Sequence, residues 1–115
     1  MEYQVYQAAD GAVEVIQTPV RFNIEVSEEF RIILKEFVDK GKYKIVVDLS
    51  QTEYMDSSGL GAIVSRISAT RSHDGDIRIA APKEFVKNLF DVTNLVEILK
   101  IFDTVEGAVD SFTAE

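Results

Sequence analysis

The sequence contains no cysteine, and this absence removes several kinds of chemistry. Without thiols the chain can form no disulfide, no thiolate nucleophile and no zinc–thiolate site. Its apolar runs are also short, and none approaches the length that crosses a bilayer, so we expect no membrane insertion. A chain of 115 residues with these properties is expected to form one domain with one core, residues 1–115, in a reducing cytoplasm.

Basic residues are scarce. The chain has 12 Lys and Arg against 20 Asp and Glu, which gives a formal net charge of -8 at pH 7. Affinity for a phosphate backbone comes from Lys and Arg, so we expect no direct binding to nucleic acid. An acidic surface instead favours basic protein partners, or simply solubility.

Extended and helical patterns alternate along the chain. Two strands, 3–7 and 12–17, flank a turn and predict a β-hairpin, and a short extended piece follows at 20–23. Further strands are predicted at 43–49, 77–81 and 99–102. The strand at 43–49 is apolar on both faces from Ile45 to Val47, which is typical of a central parallel strand.

Four helices are predicted between and after these strands. The first begins at Ser27 and ends at Lys40-Gly41, and the second runs from 58 to 72. The third has Pro82 in its first turn, and the fourth has a capping-box spacing of Asp103 and Glu106. This alternation predicts an α/β domain with a central mixed, mostly parallel sheet, an N-terminal β-hairpin and flanking helices.

The stretch from Asp48 to Gly61 joins the central strand to the second helix. It brings Asp56, Ser57 and Ser58 to the helix start, where unpaired N–H groups and the helix dipole favour an anion. Capping of the helix alone would also explain these residues. Glycines in the first turn, Gly59 and Gly61, lower helix propensity. Either close approach by a partner or tight packing of helix on sheet would offset that cost.

Helix geometry separates the two serines. If the apolar stripe is centred near Leu60, Ser57 lies roughly 70° and Ser58 roughly 170° from that centre, at about 100° per residue. We therefore expect Ser57 to lean inward, where it can cap the helix, and Ser58 to face outward. The outward face also carries small residues that would let another surface approach closely: Ala62, Ser65 and Ala69.

The residue pattern argues against an enzyme. A serine nucleophile needs an adjacent base, and the sole histidine, His73, should lie about 21 Å from Ser58 at the far end of the second helix. A turn before a strand explains His73, Asp74 and Asp76 better than a metal site does. The segment Gly59-Leu60-Gly61 lacks the third glycine and the lysine of a phosphate-binding loop. We expect no catalytic residue, no metal and no cofactor.

The segments Asp48-Leu49-Ser50 and Met55-Asp56-Ser57-Ser58-Gly59-Leu60-Gly61 resemble the signature of the STAS domain, in particular that of bacterial anti-sigma factor antagonists. The segment 86–91, together with Leu95, is similar to that family's third helix and the turn after it. The resemblance covers essentially the whole chain. It implies one STAS-type α/β domain over residues 1–115.

The resemblance also implies a phosphorylation switch. Ser58 matches the serine that an anti-sigma factor, an ATP-dependent serine protein kinase, phosphorylates, and a PP2C-type serine phosphatase removes the phosphate. The unphosphorylated antagonist binds the anti-sigma factor and so frees a sigma factor. The residues expected to contact the partner are Asp56, Ser57, Ser58, Gly59, Gly61, Ala62, Ser65, Ala69 and Asn23.

The sequence departs from the family pattern before the first helix. Where members often carry Gly-x-x-Asp, this chain has Val20-Arg21-Phe22-Asn23, so Asn23 keeps hydrogen-bonding capacity without the charge. A second function stays open, because STAS domains also serve as scaffold or regulatory subunits of stress-signalling and lipid-transport complexes. Ser58 favours the switch over the scaffold without excluding it.

Overall fold

A computed structural model of the chain describes residues 3–113. The strands are β1 Gln4–Ala8, β2 Val13–Gln17, β3 Arg21–Phe22, β4 Lys44–Asp48, β5 Tyr54–Met55, β6 Asp76–Ala80 and β7 Ile101–Phe102. The helices are α1 Ile24–Asp39, α2 Ser57–Val64, α3 Ile67–Arg71, α4 Glu84–Val92 and α5 Val105–Thr113, with a single turn of 3₁₀ helix at Leu95–Glu97.

The main sheet has five strands in the order β1-β2-β4-β6-β7. Strands β1 and β2 pair antiparallel, and every other neighbouring pair is parallel. The central strand β4 buries Ile45, Val46 and Val47 completely, as a strand covered on both faces must. The predicted N-terminal hairpin and mostly parallel sheet are therefore confirmed.

Side chains that alternate along the strands supply two separate hydrophobic clusters. The larger cluster takes Ile45 and Val47 from β4 and packs them against α1, α2 and α4. The smaller cluster takes Val46 from β4 and packs it against Val109 and Phe112 of α5. Strands β2, β4, β6 and β7 thus contribute to both faces because successive side chains point to opposite sides. Within residues 3–113, no helix is long and apolar enough to cross a membrane.

Strands β3 and β5 form a small parallel pair outside the main sheet, with Arg21 opposite Tyr54 and Phe22 opposite Met55. The chain leaves β3 directly into α1 and leaves β5 directly into α2. A backbone hydrogen bond from the Asp56 N–H to the Phe22 carbonyl, 3.4 Å long, extends the pairing by one step. The N-termini of α1 and α2 therefore lie side by side at the edge where the parallel strands end.

Two predicted helix boundaries are wrong. Helix α1 begins at Ile24, three residues before Ser27, because Asn23 provides the N-cap. The helix predicted over 58–72 is broken into α2 and α3, because the Ser65 N–H bonds to the carbonyl of Ala62, three residues back instead of four. The Ser65 hydroxyl donates to the same carbonyl at 2.7 Å, which reinforces the tight turn.

Smaller differences occur near the C-terminus. Helix α4 begins two residues after Pro82. Strand β7 is limited to Ile101–Phe102, because the N–H of Leu99 still bonds back to Leu95 in the preceding turn. At the start of α5 the hydroxyl of Thr104 accepts from the Gly107 N–H at 2.9 Å, so Thr104 makes the capping bond expected of Asp103.

Candidate functional site

The site is built around the carboxylate of Asp56, the N-cap residue of α2. Its Oδ1 accepts hydrogen bonds from the Ser58 N–H at 3.0 Å, the Gly59 N–H at 3.2 Å and the Ser58 hydroxyl at 2.5 Å. Its Oδ2 accepts from the N–H of Ile24, the first residue of α1, at 3.3 Å. One carboxylate thus satisfies unpaired N–H groups of two helices.

These contacts lower the pKa of Asp56 below its ordinary value. The hydrogen bond from the Ser58 hydroxyl contributes most; desolvation opposes it, and the N–H groups of Gly59, Ser58 and Ile24 add to the lowering. The carboxylate is therefore ionised at neutral pH, and it holds the Ser58 hydroxyl as a hydrogen-bond donor.

The environments of the two serines differ from the expectation. Ser57 is exposed and Ser58 is half-buried, so the prediction that Ser57 leans inward and Ser58 faces out is wrong. Ser57 does not cap the helix, because Asp56 does. The predicted stripe centre is the source of the error. The buried residues of α2 are Gly59, Leu60, Ala62 and Ile63. Around the helix axis, the centre of this buried face lies nearer to Ile63 than to Leu60.

The tightest contact of α2 is at Gly59. A Cβ added there would lie 2.7 Å from the carbonyl oxygen of Phe22 and 2.9 Å from the Cγ of Met55. Of the two explanations that the sequence left open for this glycine, tight packing of the helix is therefore confirmed. Gly59 is buried between α2 and the β3–β5 pair, where it is not available to a partner.

Ala62 is completely buried in the larger hydrophobic cluster. The expectation that it lies on an outward face is wrong, and arginine at this position would disturb the fold instead of blocking a partner. Gly61, Ser65 and Ala69 are half-buried, and Ala69 belongs to α3, a separate helix. Among the residues predicted to contact the partner, the accessible ones on α2 are therefore Ser57, Ser58 and Gly61, followed by Ser65 at its end and by Ala69 beyond the break.

Asn23 lies beside this face as the N-cap of α1. Its Oδ1 accepts from the Glu25 N–H at 3.1 Å, and its carbonyl accepts from the N–H groups of Val26 and Ser27. The hydrogen-bonding capacity expected of Asn23 is thus used to begin the helix. Asn23 also lines an open cleft of about 510 Å³ that runs along the loop before α1.

Exposed apolar side chains surround the site, and sequence reasoning missed them. Ile24 is 73% exposed although its N–H is bound to Asp56, and Val20 and Tyr54 are also exposed. The guanidinium of Arg21 lies over the Tyr54 ring, 4.7 Å from its centroid. The sequence did contain one indication that Ile24 is exposed. Ile24 directly follows the Asn23 cap and lies outside the apolar stripe that begins at Phe30.

His73 lies far from Ser58. Its ring stacks on Tyr43 with centroids 4.2 Å apart and planes at 9°, before the start of β6, whereas Ser58 follows the end of the parallel strand β4. The two residues are therefore at opposite edges of the sheet, as the sequence predicted. In residues 3–113, no group of three or more His, Asp and Glu side chains is placed to hold a metal ion.

Comparison with known proteins gives the fold a family. A family model described as "STAS domain" matches residues 9–108. A candidate anti-sigma factor antagonist of Thermotoga maritima is 34% identical over 106 residues, which is 91% of this chain and 93% of that protein. The crystal structure of a candidate antagonist from the same organism superposes with a TM-score of 0.86 at 31% identity, and the match covers 96% of this chain and 94% of the other.

Two structures of SpoIIAA share the fold at lower identity. The unphosphorylated anti-sigma factor antagonist gives a TM-score of 0.78 at 19% identity, covering 98% of this chain and 99% of the other. The phosphorylated form from Bacillus gives 0.75 at 20%, covering 95% and 97%. The signature at Asp56–Gly61, the mixed sheet and these matches agree, and this chain belongs to the STAS domain family as one of its anti-sigma factor antagonists.

Proposed function

We propose that this chain is a non-enzymatic protein-binding module that phosphorylation of Ser58 switches off. Without the phosphate it binds an anti-sigma factor that is itself an ATP-dependent serine protein kinase, and a sigma factor is released. A PP2C-type serine phosphatase restores the binding form. The names of the relatives support an anti-sigma factor as the partner, and SpoIIAA supports phosphorylation as a property of this fold.

The geometry of the Ser58 hydroxyl is the observation that carries the proposal. Ser58 is half-exposed in the first turn of α2, and its hydroxyl is held at 2.5 Å by an ionised carboxylate. In the kinase reaction the Ser58 oxygen forms a bond to the γ-phosphorus of ATP, the bond to the ADP oxygen breaks, and the hydroxyl proton leaves to the kinase or to solvent. Asp56 orients the accepting oxygen for this step.

The phosphate would change this edge of the molecule in two ways. Phosphoserine has no hydroxyl hydrogen, so the bond from Ser58 to Asp56 is lost. About -1.5 to -2 charges are added at pH 7 next to that carboxylate. Exposed apolar side chains such as Ile24 lie close by, and a partner that covers them would have to bury the new charge. Burial of an unpaired charge costs several kcal/mol, so the phosphate should oppose binding directly.

The test uses a purified anti-sigma factor kinase from the same genome and isothermal titration calorimetry. We expect Ser58→Asp to bind at least about tenfold more weakly than the unphosphorylated wild type. A tenfold loss of affinity corresponds to only about 1.4 kcal/mol of binding free energy. Ser58→Ala should bind and should resist inactivation by kinase and ATP. Ser68→Asp provides the control, because Ser68 is exposed on α3 and receives the same charge.

Two results would end this proposal. The first is equal affinity of Ser58→Asp and the wild type for a kinase that does bind the wild type. The second is phosphopeptide mapping that places the phosphate on the exposed neighbour Ser57 or elsewhere.

A further inference from the structure

Arg31 of α1 is half-buried and has no counter-ion among residues 3–113. Several other basic residues are paired, for example Lys35 with Asp39 at 2.7 Å and Arg71 with Asp76 at 2.8 Å. Among the residues that the structure describes, none forms an ion pair or a hydrogen bond with the Arg31 guanidinium. In a chain with a net charge of -8, this arginine lies against a neighbouring helix without an anion.

The Arg31 side chain lies across α2 one turn after Ser58. Its Nη2 is 3.1 Å from the place where a Cβ on Gly61 would be. Side chains three residues apart on a helix have Cβ atoms about 5–6 Å apart, so Nη2 starts within about 9 Å of the Ser58 Cβ. The absence of a side chain at Gly61 leaves the path between them open. The length of a phosphoryl group on Ser58 and rotation of the long arginine side chain together span a gap of this size.

We propose that Arg31 is the intramolecular receptor for the phosphate on Ser58. A guanidinium binds a phosphate through two parallel hydrogen bonds, a geometry that suits Arg better than Lys. Helix α2 has no charged residue of its own. The acidic groups nearby are Asp56, two residues before Ser58, and Glu28, which lines the same groove as Arg31. Arg31 would offset their repulsion and hold the phosphate on the groove between α1 and α2.

This inference rests on the proposed phosphorylation of Ser58, but its test does not need the kinase. Phosphoserine is incorporated at position 58 during translation, and the second pKa of the phosphate is measured by ³¹P NMR titration. An adjacent cation stabilises the dianion and lowers this pKa. We therefore expect Arg31→Gln to raise it by about 0.5–1 unit relative to the phosphorylated wild type.

Arg66→Gln is the matched control. Arg66 lines the same groove, and its removal changes the net charge equally, but it follows Ser58 by eight residues and lies beyond the break at Ser65. The phosphate pKa should stay at the wild-type value in this variant. Arg31→Lys, which keeps the charge and the aliphatic stem but loses the fork, should give a smaller rise than Arg31→Gln. It also tests the contact if the glutamine variant does not fold.

An unchanged phosphate pKa in both Arg31 variants would overturn the inference. An equal rise in Arg31→Gln and Arg66→Gln would overturn it too, since this would indicate the general field of the groove and not a contact. Neither outcome would affect the proposed switch, which depends on the binding of Ser58→Asp to the anti-sigma factor.

Discussion

At the residue scale, Asp56 links the starts of two helices through one carboxylate. The Oδ1 atom caps α2, and the Oδ2 atom reaches the first N–H of α1. The Ser58 hydroxyl is bound to the same group. One side chain therefore both caps the helices and orients the proposed phosphorylation site, and only variants that keep one role and remove the other can separate the two.

Asp56→Ala should lower the free energy of unfolding by about 0.5–2 kcal/mol at pH 7, the usual loss for a missing N-cap. The loss of unfolding free energy should be smaller for Asp56→Asn, because the amide oxygen of asparagine still caps the helix, although without the charge. Urea denaturation of the three proteins provides the measurement. Equal stability of Asp56→Ala and the wild type would mean that the capping bonds contribute nothing.

The same variants predict a pH dependence. The pKa of Asp56 is lower in the folded state than the unfolded value of about 3.9, so its ionised form stabilises the fold at neutral pH. This stabilisation is lost as the pH falls through the folded-state pKa. The stability advantage of the wild type over Asp56→Asn should therefore shrink below about pH 4. This advantage should be small at every pH, since Asp56 is partly exposed to solvent.

The motif predicted the position of the site but not the orientation of its side chains. Asp56, Ser57 and Ser58 lie at the start of a helix after the central strand β4, as expected, although the short strand β5 lies between the two. A helical wheel assumes that the most apolar stripe marks the core. Here Gly59 and Ala62 face inward because the backbone of α2 packs closely against its neighbours. Small buried residues carry little hydrophobic signal, so the sequence could not reveal this rotation.

At the element scale, the two glycines of α2 have different surroundings, and this gives a matched pair of variants. Gly59→Ala places a methyl group against the backbone oxygen of Phe22, which cannot move away. We expect a loss of about 1–3 kcal/mol in stability, as for other overpacked sites. Gly61→Ala meets only the flexible end of Arg31, and alanine favours helix by about 1 kcal/mol, so its stability should be unchanged or higher.

Thermal or urea denaturation of both variants checks this contrast. Equal losses would mean that the closest approach of α2 to the β3–β5 pair is not at Gly59. The two glycines also differ in their relation to the proposed phosphate site. Gly61 is accessible and lies between Ser58 and Arg31, whereas Gly59 is buried.

Helix boundaries show where local sequence signals are ambiguous. Ser27 followed by two glutamates reads as a helix start, yet Asn23 caps α1 because β3 must end beside β5. Ser27 is instead buried, with its hydroxyl directed at the carbonyl of Ile24. The break at Ser65 likewise leaves the apolar periodicity almost unchanged. The start of α1 depends on a partner distant in sequence, which a local pattern does not contain, whereas the break at Ser65 comes from two bonds to Ala62 that the apolar periodicity does not reveal.

At the scale of the whole molecule, the sheet separates the site from α5. Helices α1 and α2 pack with the larger cluster on one face, and α5 covers the smaller cluster on the other. Phe112 anchors α5 there, with the Arg78 guanidinium 4.1 Å from its ring centroid. Contacts of α5 should therefore contribute to stability without contributing to recognition at Ser58.

Phe112→Ala should lower the free energy of unfolding by about 3 kcal/mol, near the lower end for a buried phenylalanine. Its affinity for the anti-sigma factor, measured where the variant is folded, should equal that of the wild type. Phe85→Ala is the comparison, because Phe85 is 52% exposed on α4 and its loss should barely change stability. Weaker partner binding by folded Phe112→Ala would show that the two faces of the sheet are coupled.

The pairing of β3 with β5 has a consequence for how the site comes into being. Ile24 and Asp56 are 32 positions apart, so the hydrogen bond between them forms only after a long loop has closed and β4 has entered the sheet. A nascent or unfolded chain contains Ser58 without this arrangement. A synthetic peptide of residues 54–65 lacks it as well, since it carries no Ile24. A partner that contacts both helix starts would therefore recognise a conformational epitope, and it would distinguish the native protein from its own unfolded or proteolysed forms.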